Sequence, residues 1–149
     1  MWALDAALDA AERCVEDNAR DAPRGHAARR LVDAYPGPLL GADEDAWIVK
    51  PRDLLRARFV RTLLRLGEKL EDARDWTTAV DLYQRGLEAD NLAEPLYRGL
   101  MRTLAAKGDH AEALIAFRRC RELLSIVLGT KPSGETERLH REIMARRSP

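Results

Sequence analysis

DWTTAVDLY at residues 75–83 and DHAEALIAF at residues 109–117 carry Asp, Ala and an aromatic in the same order, 34 residues apart. Sliding the chain against itself by 34 residues extends the match upstream. Leu63 falls on Tyr97, Leu66 on Leu100, Leu70 on Leu104, Asp75 on Asp109, Ala79 on Ala113 and Tyr83 on Phe117. The apolar positions flanking each Asp step by three or four residues, the period of a helix with one buried face. Each copy therefore reads as a helix, a short turn at the Asp, and a second helix. The alanine is small because two helices cross closely there, and the aromatic one turn later fills the space beside it. Residues 63–88 and 97–122 are the cores of the two copies.

The helical period continues outside them. Trp2, Leu4, Ala7, Leu8, Ala11 and Val15 predict an amphipathic helix over roughly residues 2–19. Pro23 and Gly25 interrupt it, and Ala28, Leu31 and Val32 mark a second helix over about 25–34. YPGPLLGADEDAW then packs two prolines and two glycines into a few residues, which excludes helix interior. This loop is apolar, so Tyr35, Leu39, Leu40 and Trp47 are expected to pack down over the helices as a plug, the alternative being an exposed docking surface. A long helix resumes from about Pro51 with Leu54, Leu55, Phe59, Leu63, Leu66 and Leu70 as its stripe. Asp75 reads as the cap of the next helix; Asn91 with Glu94 and Asp109 with Glu112 read as reciprocal caps. Gly108 and Gly129 sit at helix stops, and Pro132 and Ser133 open a final helix carrying Leu139, Ile143 and Met144. No segment alternates with a two-residue period. The expected fold is all-α, with about seven helices.

Composition bounds the function. The 149 residues are 46% hydrophobic and 34% charged, a globular balance, in the size range of one domain spanning 1–149. Lys plus Arg number 25 and Asp plus Glu number 25, so the basic surplus expected of a chain that grips DNA by itself is missing. Cys14 and Cys120 stand far apart with no CxxC or Cys/His spacing, which argues for a reducing compartment and against a disulfide framework or structural zinc. The first residues hold acidic side chains and no basic leader, and no run reaches the roughly 18 apolar residues of a membrane span. A cytoplasmic location is expected.

The period and the helix-turn-helix unit resemble the tetratricopeptide repeat. Its Leu-Gly, Ala and aromatic positions are met by Leu66, Gly67, Ala79 and Tyr83, and in the second copy by Leu100, Ala113 and Phe117. That copy has Met101 at the glycine position and Cys120 at a usually small one, while Asn91 and Ser125 replace the closing prolines. The resemblance implies a degenerate, right-handed array of about seven antiparallel helices. Two repeats alone are marginal, so the N-terminal helices and the final helix are expected to act as caps.

A wider resemblance covers almost the whole chain. The Trp2 helix leads into YPGPLLGADEDAWIVKPRDLLRARFVRTLLRL, with Tyr35, Gly37, Leu40, Trp47, Arg52 and Leu55. ADNLAEPLYRGLMRTLAAKGDHAEALIAFRRCRELL follows, with Glu94, Met101, Gly108, Ala113 and Leu114. LGTKPSGETERLHREI closes the series, with Leu128, Gly129, Pro132, Ser133, Thr136 and Leu139. In order and spacing these phrases resemble the bacterial transcriptional activator domain found in regulators of the actinomycete antibiotic regulatory protein type. In that family the domain usually follows a winged-helix DNA-binding domain, and no such segment is expected in this sequence. The resemblance implies a regulatory interaction module without cofactors. It works through a protein partner, either RNA polymerase or a linked DNA-binding domain, with DNA touched only indirectly, no membrane contact, and homodimerisation as a further option. The competing reading is a TPR-like adaptor outside transcription.

Few side chains invite a chemical reading. Arg56, Arg58, Arg61 and Arg65 form a basic stripe, joined by Arg98 and Arg102 on the equivalent helix. The first helix of each TPR unit lines the concave face, so Arg61, Arg65, Arg98 and Arg102 are the candidates for holding an acidic peptide or a phosphate. The bland alternative is a solvated face paired with Glu68, Glu71 and Asp72. His26, His110 and His140 are scattered without metal-ligand spacing and read as surface residues, and Cys120 reads as a small core residue. Asp75 and Asp109 are explained by capping. Phosphate loop, nucleophile elbow and zinc signature are all missing, so catalysis is not expected.

Overall fold

The computed structural model describes residues 2–17, 23–35 and 46–147. The helices are α1 (Trp2–Glu16), α2 (Arg24–Ala34), α3 (Ala46–Asp72), α4 (Trp76–Ala89), α5 (Glu94–Lys107), α6 (His110–Leu123) and α7 (Gly134–Arg147). A π turn at Leu124–Leu128 prolongs α6, and the described residues include no strand. Successive helices pack in pairs, α1 on α2, α3 on α4 and α5 on α6. Helices α1, α3, α5 and α7 also touch in series, and α2 touches α4. The result is a two-layered, TPR-like all-α array with α7 alone at its end.

The stripe residues read from the sequence line the contacts between layers. Leu63, Leu66, Leu70, Ala79, Ala113, Tyr83 and Phe117 are buried, with Leu8 and Leu31 extending the same core into the first pair. Each such leucine or phenylalanine contributes about 1.5–3 kcal/mol relative to an exposed one. Gly86 brings α4 against both neighbours: a Cβ there would stand 2.9 Å from Leu63 and 3.0 Å from Leu96.

The two inner turns are built alike, 34 residues apart. After α3, the Asp75 amide donates to the Leu70 carbonyl (2.9 Å) and the Arg74 amide to that of Glu71 (2.9 Å). After α5, the Asp109 amide donates to Leu104 (2.8 Å) and the Gly108 amide to Ala105 (3.1 Å). Both are left-handed helix stops. Gly108 takes φ 97° freely, whereas Arg74 is forced to φ 58°. The sequence matches Arg74 with Gly108, so the same turn carries strain in one copy only.

Several expectations need correction. Helix α1 ends at Glu16, short of residue 19; residues 18–22 lie outside the described set. Helix α3 starts at Ala46, so Pro51 lies inside it and not at its first turn. Within the plug, Tyr35 stacks on Phe59 at 4.0 Å between centroids. Leu39 and Leu40 lie outside the described residues, as does the side chain of Trp47. Asn91 does not cap α5: Ala93 occupies that position without a side-chain bond. The reason is local, because Asp90 organises the turn, accepting from the Leu92 amide (3.2 Å) while its carbonyl takes the Ala93 amide (3.3 Å). Asp75 caps α4 through the Thr78 amide (3.3 Å), but Asp109 makes no such bond to α6 and its carboxylate lies 3.9 Å from Lys107.

Candidate protein-interaction site

Among the four candidate arginines, two are committed to the fold. Arg102 donates from Nε and one Nη to both oxygens of Glu71, at 2.8 and 3.0 Å, tying α5 to α3. Such a fork is the strongest common form of an ion pair. The same carboxylate accepts from the Tyr83 hydroxyl (2.9 Å) and Thr103 Oγ1 (3.3 Å). Burial first, and then the neighbouring Glu71 charge, push the Tyr83 phenol far above its ordinary range. It stays neutral and donates.

Arg98 turns to the other side of α5. It donates to Thr136 Oγ1 (3.1 Å) and Ser133 Oγ (3.4 Å), and lies 3.5 Å from Glu135, all at the start of α7. Beside it, Glu94 Oε1 accepts from the Ser133 amide and from Thr136 Oγ1, both at 2.6 Å. Burial by itself would raise the Glu94 carboxyl. The bonds from Thr136 and Ser133, with the Arg98 charge, outweigh it and hold the pKa below the ordinary carboxylate value.

Arg61 and Arg65 differ. Both are exposed on α3, and neither makes a hydrogen bond or ion pair among the described residues. Their charges reach α1: Glu12 is held below the ordinary carboxylate value first by its bond from Arg58 and then, despite some burial, by Arg58, Arg61 and Arg65 together. Arg65 also lines an open cleft of about 260 Å³ with Val15, Glu16, Glu68, Lys69 and Asp72. The structure therefore does not gather the four arginines into one cluster. It leaves Arg61 and Arg65 on the surface beside α1.

The other two arginines of the stripe also join helices. Arg58 binds Glu12 (2.8 Å) and Asp9 (3.0 Å), and Arg56 binds the buried Asp90 carboxylate (2.5 Å). The sequence reading missed the Glu94–Ser133–Thr136 contact. All three residues nevertheless stand among those that carry the wider family resemblance, which was the available signal. Of the histidines, His140 is not a surface residue of the ordinary kind: it stacks on Phe117 at 3.9 Å. Cys14 and Cys120 are both buried, and burial pushes the Cys120 thiol up to about 12. Among the described residues no group of three or more His, Cys, Asp or Glu is placed to hold a metal ion. No helix among them is long and apolar enough to cross a membrane.

The polar groups of this two-layered helical array tie helices together or face solvent, and the described residues show no assembled catalytic cluster. The family model of the bacterial transcriptional activator domain matches residues 1–144, and the chain belongs to that family. It is a helical protein-interaction domain of bacterial transcription regulators and not an enzyme. No curated protein and no solved structure matches it.

Proposed function

We propose that this domain supports transcriptional activation in the cytoplasm by contacting RNA polymerase or a linked DNA-binding domain, and that Arg61 and Arg65 receive an acidic segment of that partner. The observation that carries the reading is the exposure of these two guanidiniums beside α1, while Arg98 and Arg102 are spent on internal ion pairs. An exposed guanidinium pair suits carboxylates, and desolvation by a partner strengthens the attraction. The zero net charge supports indirect contact with DNA.

The test is titration of labelled domain with purified RNA polymerase and, separately, with a winged-helix domain from a regulator of this family. Saturable binding to either that falls at least ten-fold in the Arg61→Glu, Arg65→Glu double variant is expected. Binding unchanged by the double substitution removes the arginines from the interface, and binding to neither partner removes the proposal. Sedimentation equilibrium run alongside reads self-association, the competing use of the same surface.

A further inference from the structure

Helix α7 is held differently from every helix it touches. Among its described side chains only Thr136 and Ile143 are buried, with Leu139 partly so. Helix α5 buries eight residues and α6 buries five. Apolar area is the main source of attachment between helices, so α7 has little of it. Polar contacts at its first turn take up part of the load. Ser133 stands at the N-cap, its carbonyl taking the Glu137 amide (3.0 Å) and its hydroxyl facing the Thr136 amide (3.5 Å). Glu94 of α5 accepts from the Ser133 amide and the Thr136 hydroxyl, and its negative charge faces the positive end of the α7 dipole. Arg98 closes the group from the other side.

The segment leading into α7 leaves the helical path between Gly129 and Gly134 and buries Pro132 between them. The π turn at Leu124–Leu128 ends at Gly129 with φ 63°, and Gly134 begins α7 with open space around it. Short π segments of this kind are rare and are frequently found at functional sites. Part of the apolar surface of α6 is covered by α7. Phe117 and Cys120 are buried, and Phe117 is covered by the His140 ring.

We infer that α7 is a releasable cap, latched at its first turn by Glu94 and Arg98, which opens as a unit and uncovers the Phe117 face of α6 while the α3–α6 core stays folded. Local opening of this type occurs wherever a cooperative unit has few buried apolar contacts and depends on polar ones. The inference rests on the packing of this chain and not on which partner it binds, so it stands or falls separately from the assignment of Arg61 and Arg65.

The test is hydrogen–deuterium exchange of the full chain, read by mass spectrometry at neutral pH. In the parent, peptides from residues 134–147 should exchange at least ten-fold faster than peptides from α5 and α6. Glu94→Ala should speed α7 a further ten-fold and leave α3 and α4 unchanged. Thr136→Val keeps the buried volume but loses the hydroxyl, and should act in the same direction by a smaller factor. Exchange of α7 in step with α5 and α6 in the parent overturns the inference. So does a Glu94→Ala or Thr136→Val variant in which all helices speed up alike, or in which α7 does not change.

Discussion

The ring of Tyr83 fills the notch left by Gly99: a Cβ at that position would stand 2.5 Å from two of its ring carbons. A Cβ at Gly67 on α3 would likewise run into the Tyr83 hydroxyl and the ring carbon that bears it. Two glycines from alternate helices thus clasp one aromatic from the helix between them, and the Tyr83 hydroxyl ends on Glu71. Gly→Ala inside a helix normally stabilises by about 0.5–1 kcal/mol. Here Gly99→Ala should instead destabilise by about 1–3 kcal/mol through overpacking. Urea unfolding checks the sign, and a stabilised Gly99→Ala variant would mean that the ring is not wedged there.

The left-handed residue at the end of α3 gives the opposite expectation. Arg74 holds φ 58° where the second copy has Gly108. The left-handed conformation costs an L-residue about 1–2 kcal/mol. Arg74→Gly should therefore raise stability by roughly 0.5–1 kcal/mol, the remainder being lost to the greater freedom of glycine in the unfolded chain. A shift of the melting midpoint upward is expected; a downward shift contradicts the turn geometry.

Ala79 and Ala113 test the proposed 34-residue register. Both are fully buried, and the register places each where the two helices of a pair cross. Ala79→Leu and Ala113→Leu should each cost about 1–3 kcal/mol by forcing the helices apart. Two variants that melt with the parent would place the crossing elsewhere.

Acidification should loosen α7, with the sign fixed by two groups. Glu94 is held below its ordinary 4.5, so the unfolded chain binds more protons in acid and the stability it adds is lost as pH falls through its folded pKa. His140 is lowered from 6.5, first by burial and then by the Arg121, Arg118 and Arg141 charges, against the opposing effect of Glu137. Its neutral form is favoured in the fold, so its contribution is present above 6.5 and is lost as pH drops through the lower folded value. Urea midpoints should decline from pH 7 to pH 4. His140→Phe should flatten the upper part of that decline and Glu94→Gln the lower part. Glu12, also lowered, remains in both variants and sets a residual acid slope. Identical profiles in all three proteins would contradict these assignments.

What the sequence disclosed and what it hid divide along physical lines. Buried stripes such as Leu63, Leu66 and Leu70, and the small residues at Ala79 and Ala113, repeat with the helix period and are legible locally. The role of Gly99 was not, because the notch belongs to Tyr83 of another helix and the 34-residue shift places Arg65 there. Asn91 followed by Glu94 has the spacing of a reciprocal cap, yet Glu94 bonds to donors about forty residues on. Local pattern cannot weigh such a competitor. Arg98 and Arg102 looked equivalent to Arg61 and Arg65 for the same reason: their carboxylate and hydroxyl partners lie on other helices.

The proposal that the domain works by protein contact, without reading DNA, is tested most directly by a mobility-shift titration of the isolated chain on duplex DNA at physiological salt. With no basic surplus among its 25 cationic and 25 anionic side chains, the chain should give no sequence-dependent retardation at micromolar concentration. Sub-micromolar binding that distinguishes one duplex sequence from another would contradict the account.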